Sequence, residues 1–210
     1  MHARLLYVMD PMCSWCWGFA PVLESLAEQA AAEGVGLQLV LGGLRRDGVA
    51  IDAAARVRYL GYWQAVNAST GQLFNFNAGL PEGLIYDTEP ACRALVTARN
   101  LAPELVWPLT QLIQRAFYTE GVDVTRASVL VELAERAGIP RIVFAEAFDS
   151  AAQRAATAAD FSWTQDLGIA GFPTLLAERN GQLALLTNGY QPLDVLQPLL
   201  ARWLERVTHA

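Results

Sequence analysis

A chain of 210 residues, 53% hydrophobic and 17% charged, has the composition of one globular domain, or of one domain carrying a large insertion. Its formal charge is −6 and it has no basic run, which excludes the clustered positive charge that a nucleic-acid partner needs. It contains no lysine, a feature that composition bias explains more simply than selection for anion recognition by arginine.

The opening segment MHARLLYVMD has one short apolar run and then an acid and a proline. It lacks the long apolar stretch and small-residue cleavage site of a signal peptide. No stretch reaches the ~18 apolar residues of a membrane span. The expected location is therefore the cytosol, with no membrane partner. Residues 3–10 read as a short buried strand that ends at Asp10-Pro11. A helix is predicted from the cysteines to about Ala32, with Phe19, Val22, Leu23 and Leu26 on one side and Pro21 as a kink. Gly34 and Gly36 end it. LQLVLGGL, 37–44, reads as a second buried strand closed by a double glycine. Strand, helix and strand at this spacing make a βαβ unit with parallel strands.

From about residue 50 to 168 the pattern is helical. Helices are predicted at 52–68, 89–100, 103–119, 126–137 and 150–167, with a short one near 141–148. Residues 69–83 read as a surface loop. Strand character returns at 172–190, where two apolar runs flank Asn180-Gly181, a pair that favours a type I′ hairpin turn. Pro192 opens a last helix in which Leu193, Leu196, Leu199, Leu200, Trp203 and Leu204 recur at helical spacing. The order βαβ, helical block, ββα predicts an α/β fold: a small mixed sheet with helices on both faces and the helical block inserted.

The stretch MDPMCSWCWGF, 9–19, carries the chemistry. Structural zinc commonly needs four Cys or His ligands, and beyond Cys13 and Cys16 the chain offers only Cys92, His2 and His209. A metal is therefore not expected. Free cysteines also serve as small packing residues. A pair at i and i+3, opening a helix straight after a strand, has a more specific reading. The spacing allows a disulfide, and the helix N-terminus stabilises a thiolate at Cys13. Cys13 is then the exposed nucleophile and Cys16 the resolving thiol. Ser14 and Trp15 between them bring no positive charge, so milder thiolate stabilisation is expected than with a histidine there. Cys92 reads as a buried small residue, with a third redox thiol as the alternative. Trp15 is expected at the surface, and Trp17 and Phe19 as either apolar rim or core.

CSWC after a first strand, a helical insertion, and GFPT before a hairpin resemble the thioredoxin superfamily. More narrowly they resemble its DsbA-like branch, which also holds the kappa-class glutathione transferases and the 2-hydroxychromene-2-carboxylate isomerases. The resemblance implies a discontinuous thioredoxin-like domain, 1–48 and 169–210, with a helical insertion domain, 49–168. It implies that Cys13 attacks, that Cys16 resolves, and that Pro173 is the cis-proline facing them. The Phe172 backbone would then pair with a peptide or with glutathione. Pro173 alone would read as an ordinary trans loop proline. Asn188, Gly189, Tyr190 and Gln191, before the last helix, could hold a glutathione carboxylate or simply cap that helix. Two departures stand out. Many members carry a buried acid on the first strand, where this chain has Tyr7. Asp10 is the nearer candidate for proton transfer, though an Asp before proline is also a turn former. The branch's transferases and isomerases usually have serine in place of the attacking cysteine, whereas this chain keeps both thiols.

The expected function is a thiol–disulfide oxidoreductase acting as reductase or isomerase. No cofactor is tightly bound, glutathione is the co-substrate, and the partner is a disulfide-containing protein or a small thiol. The alternatives are a glutathione-dependent isomerase or transferase acting on an aromatic small molecule, and a non-catalytic redox-sensing or binding module.

Overall fold

The main sheet is built around its first strand, β1 (Ala3–Met9). In the computed structural model, which describes residues 3–208, β1 pairs in parallel with β2 (Gly36–Leu41) and antiparallel with β5 (Thr174–Arg179). β6 (Gln182–Asn188) completes the order β2-β1-β5-β6. His2 and His209, weighed above as metal ligands, lie outside the described residues. Strand side chains alternate between faces, and β1 buries both. Leu5, Tyr7 and Met9 join the large core with α1 (Ser14–Ala32) and α8 (Leu193–Thr208). Leu6 and Val8 pack with Val40 and Leu176 on the other face, under Trp163 of α7 (Ala151–Asp166). The turn between β5 and β6 has φ of 50° at Asn180 and 80° at Gly181, as a type I′ turn requires.

The segment between β2 and α7 contains α2 (Ala53–Thr70), α3 (Glu89–Leu101), α4 (Val106–Glu120), α5 (Ala127–Ala137) and α6 (Arg141–Phe148). It is not purely helical. β3 (Arg46–Ala50) and β4 (Ile85–Asp87) form a second, two-stranded antiparallel sheet that the helical pattern did not foretell. Its strands are short and mostly exposed, so no alternation of apolar residues marks them. β2 also ends at Leu41 rather than at residue 44, because Gly43 turns the chain with φ 67°.

Two residues of α1 fix how α2 docks. Pro21 has no N–H to donate to the Trp17 carbonyl one turn back. The Gln72 side chain takes that carbonyl instead, donating from Nε2 at 2.9 Å, while Trp17 Nε1 donates to the Leu73 carbonyl at 2.8 Å. Gly18 allows the close approach: a Cβ there would lie 2.7 Å from Val66 Cγ1 and 2.9 Å from Thr70 Cγ2. The proline in α1 thus creates the acceptor that anchors the end of α2.

Gln72→Ala is expected to cost about 1–3 kcal/mol by orphaning that carbonyl. In a Pro21→Ala background residue 21 regains its N–H, and the same change should cost less. A urea double-mutant cycle should show coupling of at least about 0.5 kcal/mol; strictly additive costs would contradict the anchor.

Candidate active site

β1 ends at Met9, and Asp10 follows it, fully buried. Its carboxylate is the hub of the loop that presents the cysteines. Oδ1 accepts from the Met12 N–H at 2.8 Å, which closes a turn across Pro11. Oδ2 accepts from the Leu44 N–H at 2.7 Å, the Thr88 hydroxyl at 2.6 Å and the Cys92 thiol at 3.3 Å. The Asp10 carbonyl then accepts from the Cys13 N–H at 3.0 Å. Burial raises the Asp10 pKa, and the four donors oppose that shift. Cys92 therefore has a task as a donor to Asp10; burial first, and then the Asp10 charge, push its thiol well up.

Cys13 is the N-cap residue of α1, with φ −87° and ψ 117°, and its carbonyl accepts from the N–H groups of Cys16 and Trp17. Its side chain makes no capping bond, so the sulfur stands at the positive end of the helix with its chemistry unspent. Cys16 lies one turn in, with no exposed surface, and both thiols are free. Burial pushes the Cys16 thiol well up, and the neighbouring Cys13 pushes it further; the Asp10 backbone and the Tyr7 hydroxyl pull the other way. Tyr7 is itself fully buried, with its hydroxyl beside Cys16. Its pKa is raised by burial first and then by Cys16. So the first strand offers Cys16 a neutral phenol rather than a carboxylate.

Cys13 is only 6% exposed, less open than a nucleophile read as exposed from the sequence. The segment 171–174 covers it. The Phe172–Pro173 peptide bond is cis, and the Phe172 carbonyl accepts from Cys13 Sγ at 3.6 Å. The Phe172 ring fits only because residue 42 is glycine: a Cβ there would lie 1.9 Å from Phe172 Cζ. The double glycine read as a strand stop is also the floor on which this ring rests.

A pocket of about 250 Å³ opens beside Cys13. Ser14, Trp15 and Phe172 line it from the cysteine side. Arg45, from the loop after β2, lines the far side with Tyr59, Tyr62 and Trp63 of α2 and with Tyr86, whose hydroxyl donates to the Met12 carbonyl at 2.8 Å. These opposite-wall residues went unnoticed in the sequence. The spacing of Tyr59, Tyr62 and Trp63 on one helix face was the available signal. The four residues before α8 do not line this pocket. Asn188 Oδ1 accepts from the Thr174 hydroxyl at 3.1 Å, and the Gly189 N–H donates to the Pro173 carbonyl at 2.7 Å. The Tyr190 ring packs 5.9 Å from that of Trp15, and Gln191 is exposed. Asn188, Gly189 and Tyr190 thus brace the cis-proline segment and Trp15, which is half-buried rather than free. Among the described residues no group of three or more His, Cys, Asp or Glu could hold a metal ion, and no helix is long and apolar enough to cross a membrane.

Comparison with known proteins extends this geometry. A family model described as a DSBA-like thioredoxin domain matches residues 4–201. A Nitrosomonas europaea protein, provisionally assigned as a protein disulfide isomerase, is 40% identical, with TM-score 0.91 and 100% of each chain covered. Cytosolic disulfide reductase DsbM from Pseudomonas aeruginosa is 30% identical, with TM-score 0.80 over 97% of this chain and 99% of that one. DsbM has also been solved with GSH. A 2-hydroxychromene-2-carboxylate isomerase, 14% identical, shares the fold with TM-score 0.67 over 98% of each chain. No curated protein matches the chain by sequence.

Gly42→Ala should displace Phe172, cost about 1–3 kcal/mol of stability and slow alkylation or exchange at Cys13; wild-type stability and reactivity would contradict this packing. A second expectation concerns pH. Burial raises the folded pKa of Cys16 and of Cys92. Such a thiol contributes stability that is complete below its unfolded pKa, about 8.5. That contribution is lost as pH rises toward the folded value, because only the unfolded chain then releases the proton. The urea midpoint of the reduced protein should fall between pH 7.5 and 9.5, and fall less in Cys92→Ala. A constant or rising midpoint would contradict the assignment.

Proposed function

Because the chain belongs to the DSBA-like thioredoxin domain family, we propose that it is a cytoplasmic thiol–disulfide oxidoreductase that works in the reducing direction and is recharged by glutathione. One observation carries the reading: two free thiols, one at a helix N-terminus beside an open pocket and the other buried one turn behind it. The 30% identity to a cytosolic disulfide reductase, also solved with GSH, supports the direction, the compartment and the reductant. The partner is a disulfide-containing protein or small thiol.

The steps follow from the asymmetry. Cys13 thiolate attacks one sulfur of the substrate disulfide, forming a mixed disulfide and expelling the other sulfur as a thiolate. Cys16, whose proton is lost as it attacks, displaces the substrate's second thiolate and closes the Cys13–Cys16 disulfide. Two electrons have passed to the substrate. Glutathione thiolate then attacks Cys13, releasing Cys16, and a second glutathione removes the first as glutathione disulfide. Because Cys16 has no exposed surface, incoming thiols meet Cys13 first.

The same reading divides the chain into a discontinuous thioredoxin-like domain, 1–48 and 169–210, and a helical domain, 49–168. The first proposed boundary falls within β3. A second reading, a glutathione-dependent isomerase or transferase, draws on the aromatic lining of the pocket. It does not need Cys16, and turnover of an aromatic substrate with glutathione in Cys16→Ala would favour it.

Insulin reduction with glutathione and glutathione reductase is the test. Cys13→Ser should abolish it. Cys16→Ser should lower turnover at least about tenfold and accumulate a mixed disulfide on Cys13. Undiminished turnover in Cys13→Ser would overturn the proposal.

A further inference from the structure

Arg45 lies on the loop between β2 and β3, half-buried, and faces the same pocket as Cys13. Its guanidinium carbon stands 4.7 Å from the centre of the Tyr59 ring and 5.5 Å from that of Tyr86. The contacts orient the group over two aromatic faces. Two other arginines nearby are spent. Arg46 pairs with Asp87 at 3.7 Å, and Arg56 donates to the carbonyls of Leu80 and Pro81. The Arg45 guanidinium has no acidic partner among the described residues. Its fork of N–H donors therefore remains available to a ligand.

The position of Arg45 is fixed from behind. The Arg45 N–H donates to the Thr88 hydroxyl at 3.3 Å, and its carbonyl accepts from the Thr88 N–H at 3.0 Å. Thr88 in turn donates to Asp10, the residue that sets the cysteine loop. One network thus places the cation and the nucleophile on the same pocket. Arg58, exposed and 5.2 Å from the centre of the Tyr59 ring, adds a second cation with no acidic partner among the described residues.

We propose that the pocket selects small thiols and disulfides that carry a carboxylate, which Arg45 binds while the ligand's sulfur meets Cys13. The inference rests on the oxidoreductase reading and names the chemistry of its small co-substrate. The aromatic walls lower the polarity around the ion pair, which strengthens a charge-assisted bond. A guanidinium can take both carboxylate oxygens at once, which a lysine ammonium cannot. Glutathione is one such thiol. With its disulfide the step is balanced: Cys13 thiolate attacks one glutathione sulfur, forming a Cys13–glutathione disulfide and expelling one glutathione thiolate.

The test measures the rate at which reduced protein reacts with three disulfides of different charge: glutathione disulfide, neutral hydroxyethyl disulfide and cationic cystamine. In the wild type, preference for glutathione disulfide over hydroxyethyl disulfide should fall as salt is raised. In Arg45→Gln that preference should drop at least about tenfold, the scale of one lost charge-assisted bond. The rate with cystamine should rise relative to the neutral probe, and Arg45→Lys should recover part of the preference. If Arg45→Gln slows all three alike, Arg45 is structural and the inference fails while the oxidoreductase reading stands. If the wild type reacts with none of them, both fail.

Discussion

A single buried carboxylate holds the site together. Asp10 receives donors from its own turn, from the end of the β2 loop, and from the start of α3 at Thr88 and Cys92. These segments are separated by up to 82 positions in the chain. A buried acid without such donors would be strongly destabilising. With them it sets the direction in which the chain leaves β1, and so the place where the first turn of α1 begins. The cysteine loop, the Arg45 loop and the helical insertion are consequently positioned against one another rather than independently.

That frame makes two similar thiols unlike. Cys13 borders the pocket at the helix end, whereas Cys16 is sealed beneath it, beside the Tyr7 phenol. The difference is one of depth: residues three apart share one side of the helix, with Cys13 at the N-terminal end beside the pocket and Cys16 a turn further in with no exposed surface. Phe172 supplies the opposing wall, and its seat depends on the missing side chain at Gly42. The cysteine pair, the Gly42 floor and the Phe172 wall thus come from three parts of the sequence that meet at the ends of β1, β2 and β5.

Local features carried much of this in the sequence. The apolar strand before Asp10, the CSWC spacing, the Asn180-Gly181 turn and the leucine periodicity of the last helix are all short-range signals. Each predicted element lies where its pattern placed it, to within a few residues. What escaped was set by distant partners. β3 and β4 bury only Tyr86 between them, too little to make an alternating pattern, and pair with each other. Asp10 read as a turn former with a possible proton-transfer role, yet its carboxylate bonds converge from residues that only the fold brings near. The Gln72 bond to Trp17 depends on a proline 51 positions away, which no periodicity reports. The aromatic wall was visible as a spacing on α2, but only the fold turns that face toward Cys13.

The central claim is that this dithiol donates electrons. The two residues between the cysteines carry no charge, and the resolving thiol is held protonated by burial, so the dithiol is the expected resting form. The most direct measurement is the reduction potential of the Cys13–Cys16 couple in glutathione buffers. The account predicts a value of about −200 mV or lower, within the range of cellular reductants. A value near about −120 mV, where strong disulfide donors lie, would contradict it.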